Sequence, residues 1–236
     1  MLPEPAPKFE LTVLETSDII YLELAMTAVK YVKGKIKAGS ANRGEDYARR
    51  KKNKMQPLYQ GTLDAQRVAQ RSKLELQKQP QWIGSGCMTP EVLDMHDEMC
   101  FLGEQAEFTG FGNCGEQAAV AYKFLSQYPI SGLVIINLMG GNHEFVVLGA
   151  GPNVIEDAIC RSDKAHNFFG PHAVICDPWL GGGMCFTVST QWEKAFAQMM
   201  AEAAPTADPE AVLIKCITRH MHRHRSTKVA SWQPPK

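Results

Sequence analysis

The apolar positions of this chain change their period partway along. From Ser17, "SDIIYLELAMTAVKYVKGKIKAG" repeats at helical spacing, with Ser17 as N-cap and Gly39 as stop. Residues 40–60 carry the polar, basic run "NRGEDYARRKKNK" with no apolar period, and read as a loop. Residues 62–79 read as a second, polar-faced helix ended by Pro80. Then "IGSGCMTPEVLDMHDEMCFLG" offers a Gly/Ser break, Thr89 as cap, Pro90 at the first helical position and an acidic helix. "FGNCGEQAAVAYKFL" (111–125) opens an apolar helix after a Gly-Asn turn.

Beyond it the pattern shortens to that of strands. "GLVIINLMGGNHEFVVLGAG" holds two β-rich runs, 132–138 and 143–149, joined by turn residues, which predicts an antiparallel hairpin. "AVICDPW" (173–179) is a short buried strand stopped by Asp-Pro, and "GMCFTVS" a further one. "STQWEKAFAQMMAEA" predicts a helix capped by Ser189 or Thr190, while "EAVLIKCIT" fits strand and helix equally. Helices first, then a helix feeding an antiparallel sheet, make an α+β layout. It divides into an N-terminal helical arm (1–85), a core (86–225) and a C-terminal tail (226–236), with no internal repeat.

Composition narrows the class. The 236 residues are 44% hydrophobic and 21% charged, enough for a core, and the net charge of zero gives no global reason for nucleic-acid binding. The charge is uneven: residues 1–80 hold 15 Lys/Arg against 9 Asp/Glu, and residues 81–160 hold 1 against 10. Such an asymmetry fits two faces that pack together or an acidic face that meets a basic partner, and more simply solvated surface. Seven cysteines, an odd number, include no CxxC. With no secretory leader pattern and no long apolar run, a soluble protein of a reducing compartment is expected, without a disulfide framework or membrane span.

Three positions carry candidate chemistry. Cys114 lies where a helix begins, His143 where a strand begins, and Asp177 where the next clear strand ends. A helix N-terminus and an imidazolium lower a thiol's pKa from about 8.5 toward roughly 3.5–7.5. The imidazole takes and returns protons, and a carboxylate fixes its tautomer through the other nitrogen. Gly112 and Gly115 are expected to keep the turn open, so that a substrate carbonyl reaches the Cys114 N–H as oxyanion donor. Singly each residue is weak, since cysteine is commonly core and Asp-Pro commonly just ends a strand.

Other constellations are poorer. Cys216, His220 and His224 share one face only if "CITRHMHRHR" is helical, and a basic, fraying segment is the simpler reading. "GAGPN" and "LGGGM" lack the strand, helix and lysine of nucleotide sites, and Ser131 and Ser189 lack a nucleophile elbow. No metal site and no cofactor is expected.

"GNCGEQA", "NHEFVV" and "ICDPW" together resemble the Cys…His…Asp signature of the transglutaminase-like and papain-like cysteine-enzyme superfamily, nearest to bacterial effector proteins delivered into host cells. The resemblance covers roughly residues 105–190. It implies a core in which the cysteine's helix packs on an antiparallel sheet, with Cys114 as nucleophile, His143 as base then acid, and Asp177 as orienting carboxylate. It further implies a thioester intermediate, a protein substrate that includes host proteins, and glutamine deamidation or transamidation, with proteolysis or a non-catalytic module as alternatives. Two departures stand out. The long stretch "NVIEDAICRSDKAHNFFGPH" reads as an inserted loop and keeps Asp157 and Asp163 open as substitutes for Asp177. No oxyanion side chain has a decisive spacing: Gln105, Asn113 and Trp82 are candidates, Trp179 is a candidate cleft wall, and Glu116 reads as a charge complementing the helix dipole.

Overall fold

The computed structural model describes residues 16–40, 64–65, 68, 81–83, 86–88, 95–139, 143–203 and 212–220. Its order is α1 (Thr16–Lys35), β1 (Gln81–Ile83), β2 (Gly86–Met88), α2 (Met95–Thr109), α3 (Cys114–Leu125), β3 (Leu133–Met139) and β4 (His143–Leu148). Then come β5 (Ile159–Arg161), α4 (Ala165–Phe169), β6 (Val174–Asp177), β7 (Met184–Thr187), α5 (Val188–Ala203) and β8 (Leu213–His220). The layout is α+β. Strands β5-β8-β3-β4-β6-β7 form one sheet in which every paired strand is antiparallel, and β1-β2 form a separate ribbon.

Strand alternation sorts the sheet's side chains to two covered faces. Leu133, Ile135, Val146, Leu148, Val174 and Cys176 pack with α1, α2 and α3. Val134, Ile136, Phe145, Val147 and Ile175 pack with α4 and α5, through Phe169, Trp192, Phe196 and Met199. Small residues let α2 and α3 come close: a Cβ on Gly103 would lie 2.8 Å from the Ala119 carbonyl oxygen.

Several expectations change. The fully buried stripe of α1 is Ala25, Ala28 and Val32, flanked by the partly buried Tyr21, Leu22, Leu24 and Tyr31, while Ile19, Ile20 and Met26 are exposed. "EAVLIKCIT" is strand: β8 pairs with β3 from Leu213 to His220. That register shifts between Ile135 and Ile136, so Cys216 joins the α5-side core while His220 stacks on His96 of α2. The shared face imagined for a helix is absent, and His224 lies outside the described residues. The supposed loop 150–172 is built in, supplying β5, α4 and the buried Val154, Ala165 and Phe169. The Gly/Ser break at 84–88 includes β2 of the small ribbon. The helix read at 62–79, apart from residues 64, 65 and 68, lies outside the described residues, as do Thr89, Pro90 and the tail. No described helix is long and apolar enough to cross a membrane.

Candidate active site

The chain delivers Cys114 through a tight turn. Gly110 (φ 73°) ends α2 in the left-handed region, where glycine is at ease, and its N–H donates to the Ala106 carbonyl (2.9 Å). Phe111 is buried as an anchor. Asn113 is the N-cap of α3, and its N–H donates to Glu116 Oε2 (2.9 Å), half of a reciprocal capping box. Glu116, 4% exposed, therefore has a structural task at the helix start. Gln117 braces the same turn by donating from Nε2 to the Gly112 carbonyl (2.9 Å).

His143 and Asp177 come from strands that are neighbours through β4–β6 pairing, and both are all but inaccessible to solvent. His143 Nε2 donates to Asp177 Oδ2 at 2.5 Å. The other carboxylate oxygen, Oδ1, accepts the backbone N–H groups of Trp179 and Leu180, each at 3.0 Å. The Asp-Pro stop thus folds its own following residues back onto the aspartate, which leaves Oδ2 aimed at the imidazole. The ring's Nδ1 is buried and has no conventional hydrogen-bond partner among the described residues, while the Cys114 sulfur is near enough to act on its charge. Burial alone opposes a charged ring. The Asp177 carboxylate, the bond it shares with the ring and the Cys114 sulfur outweigh it, and the His143 pKa is pushed up to about 10.

Trp179 roofs the pair, its ring centroid 5.0 Å from that of His143. Its Nε1–H donates to Ser40 Oγ (2.9 Å), and the Ser40 hydroxyl donates to Asn113 Oδ1 (3.1 Å). An indole N–H can only donate, so Ser40 accepts from Trp179, and its own proton goes on to Asn113. One fully buried hydroxyl, just beyond α1, therefore joins the Cys114 turn to the loop that holds Asp177. Two backbone bonds run beside it, Ala38 N–H to Gly110 O (3.1 Å) and Gly112 N–H to Gly39 O (3.4 Å).

The remaining candidates fall elsewhere. Asp157 is paired with Lys215 (2.8 Å) and Asp163 with Arg161 (3.0 Å), both with exposed side chains. Gln105 stands inside α2, its carbonyl taking the Thr109 hydroxyl (2.9 Å), and Trp82 stands on β1. At Gly115 a Cβ would lie 2.9 Å from Glu144 Oε2, so the missing side chain makes room for this carboxyl group. At Gly112 a Cβ would meet the Glu116 Cβ at 2.9 Å, so this glycine serves the capping box. Glu144 is raised above its usual range by burial and by Glu116, while the Asn137 amide, which donates at 3.2 Å, and His143 act against that rise.

Ser40 and Glu144 escaped sequence reasoning for different reasons. Ser40 sits at the edge of a polar run with no local signal of its bond across the fold. Glu144 carries a faint one, a carboxylate beside His143 at a core-facing position of an apolar strand. Among the described residues no group of three or more His, Cys, Asp or Glu is arranged to hold a metal ion. Comparison with known proteins returns no family model, no curated protein and no solved structure that matches the chain.

Proposed function

We propose that the chain is a thiol acyl-transfer enzyme with a papain/transglutaminase-like core, of the bacterial effector type, acting on glutamine side chains of a protein substrate. The observation that carries the reading is the buried His143–Asp177 bond at 2.5 Å, with Cys114 close enough to the same ring to raise its pKa. Two neighbouring strands of the sheet, β4 and β6, and the start of α3 bring their residues to one imidazole.

In this reading the Cys114 proton already resides on His143 Nδ1, so that an imidazolium faces the sulfur, while Asp177 holds Nε2–H and stabilises that imidazolium. The sulfur attacks the carboxamide carbon, forming a C–S bond and placing negative charge on the former carbonyl oxygen. The Cys114 N–H, at the first helical position, is the backbone oxyanion donor of this reading. Asn113, oriented by Ser40, flanks that position and is the side-chain candidate. Collapse breaks the C–N bond, and His143 returns its proton to the departing ammonia. Water then gives glutamate, or an amine gives a crosslink.

The experiment is intact-mass analysis of candidate protein substrates after incubation with the parent protein and with Cys114→Ala. A gain of about one dalton marks deamidation, a higher-mass conjugate marks transamidation, and fragments mark proteolysis. Any of these must vanish in Cys114→Ala. Activity retained in that variant removes the nucleophile assignment.

A further inference from the structure

Beside the thiol site, between the C-terminal turns of α1 and α2, lies a groove of about 690 Å³. Its α1 side presents Lys30, Lys35 and Lys37, all exposed. Among the described residues that line it the acidic one, Glu107, is already engaged, accepting from Lys123 Nζ and from the Tyr31 hydroxyl, each at 3.1 Å. The groove is therefore basic, in a chain whose net charge is zero.

Two further features set its character. Phe108 stands on the opposite rim with 88% of its surface exposed, an aromatic ring left in water where a helix face had polar choices. Gly34 lies inside α1, and a Cβ there would meet no heavy atom within 4 Å. A glycine inside a helix costs up to about 1 kcal/mol relative to alanine, and neither packing nor a positive φ calls for this one. What its bare backbone does is leave the groove open.

The groove is also tied to the nucleophile. Its wall includes Phe111, and Cys114 follows three residues later, at most about 11 Å away along an extended chain. The Ala38–Gly110 backbone bond clamps the same stretch. We propose that this groove docks an acidic segment of the protein substrate, with an apolar side chain on Phe108, about three residues from the glutamine that Cys114 attacks. The lysines supply charge complementarity, and the aromatic rim supplies a contact that a purely ionic patch lacks. The proposal rests on the acyl-transfer reading and names the substrate feature that reading leaves open.

The test measures binding without chemistry. Fluorescence anisotropy follows a fluorescein-labelled peptide on the Cys114→Ala protein; the peptide carries one glutamine and, three residues on, a leucine flanked by three glutamates. It is expected to bind about tenfold tighter than its lysine counterpart at low salt, and to weaken as salt rises. Gly34→Leu, which fills the groove, and the pair Lys30→Glu with Lys37→Glu are each expected to weaken it about tenfold. Both keep the parent's melting temperature and, with Cys114 restored, its alkylation rate. Equal binding of the acidic and basic peptides, or unchanged affinity in Gly34→Leu, overturns the proposal. So does a 20-nucleotide single-stranded DNA that binds as tightly and is lost in the same variants. Alkylation of Cys114 reports separately on the enzyme reading, so failed docking and failed chemistry leave different marks.

Discussion

Among the described residues, two cysteine–histidine pairs lie toward opposite ends of β3, and they differ in what grips the far side of the ring. His143 lies opposite Leu138, with Cys114 beside it. His220 lies opposite Leu133 and stacks on His96, whose Nε2 is 3.7 Å from Cys100 Sγ. Both pairs bring sulfur near imidazole. At the first, a buried carboxylate grips the far side of the ring; at the second, the far nitrogen meets the Tyr122 hydroxyl (3.0 Å). A neutral phenol cannot stabilise an imidazolium as a carboxylate does. Cys114 also heads a helix, whereas Cys100 sits within one, and burial with the nearby Asp97 pushes the Cys100 thiol up to about 11. Adjacency of the two side chains is thus not enough. The third partner and the place in the helix decide what the pair can do.

The largest effect should come from removing that third partner. Asp177→Asn keeps the shape but loses the charge, and turnover should fall about 10²- to 10⁴-fold. Asp157→Ala and Asp163→Ala, at exposed ion pairs, should leave turnover within about twofold. A larger loss from either would move the orienting role to it.

The same carboxylate links stability to pH. His143 titrates near 10 in the folded chain, above the roughly 6.5 of an unfolded one, so the fold holds an extra proton between these values. Its stabilising contribution is complete below about pH 6.5 and disappears as pH rises through about 10. Denaturant melts of Cys114→Ala, where the Asp177 contributions remain and that of the sulfur is gone, should show stability falling as pH rises above about 6.5, across a narrower window than that of the parent. Adding Asp177→Asn should flatten the fall, and a slope unchanged by this substitution would contradict the assignment.

A smaller effect is expected from Ser40→Ala. It cuts the relay from Trp179 to Asn113 and should slow Cys114 alkylation about 3- to 10-fold, on the scale of one hydrogen bond. Ser40→Thr keeps the hydroxyl and should recover part of the rate. A fall in melting temperature with an unchanged alkylation profile would mean that Ser40 only supports the fold. The smallest effect is Tyr122→Phe at the other pair, about 1 kcal/mol of stability with no change at Cys114.

What could be read from the sequence follows the range of the forces involved. The turn before Cys114, the hairpin leading to His143 and the Asp-Pro stop after Asp177 are local devices, spelled in a few adjacent residues. The α+β order was legible for the same reason. The face of α1 was not, because Ala25, Ala28 and Val32 are small and lie beside larger residues that stay in water. β8 was ambiguous because a buried strand and a buried helix segment look alike over eight residues. Ser40 could not be found at all: its two bonds join residues 73 and 139 positions away. The proximity of Glu144 to Gly115 could not be read either, since only the fold places that carboxyl group there.

The central claim concerns one sulfur, and it can be tested without knowing a substrate. Iodoacetamide labelling across pH, with each cysteine followed by peptide mass mapping, separates Cys114 from its competitors. Burial holds Cys160 and Cys216 near 12, and Cys176 is held well above the ordinary thiol range by its bond to Cys185 and by burial. The account predicts that Cys114 is modified well below pH 8, ahead of the other six and at least about tenfold faster than Cys100 at pH 7, with the advantage lost in Asp177→Asn. Uniform labelling, or a Cys114 profile that rises only with that of Cys100, would contradict it.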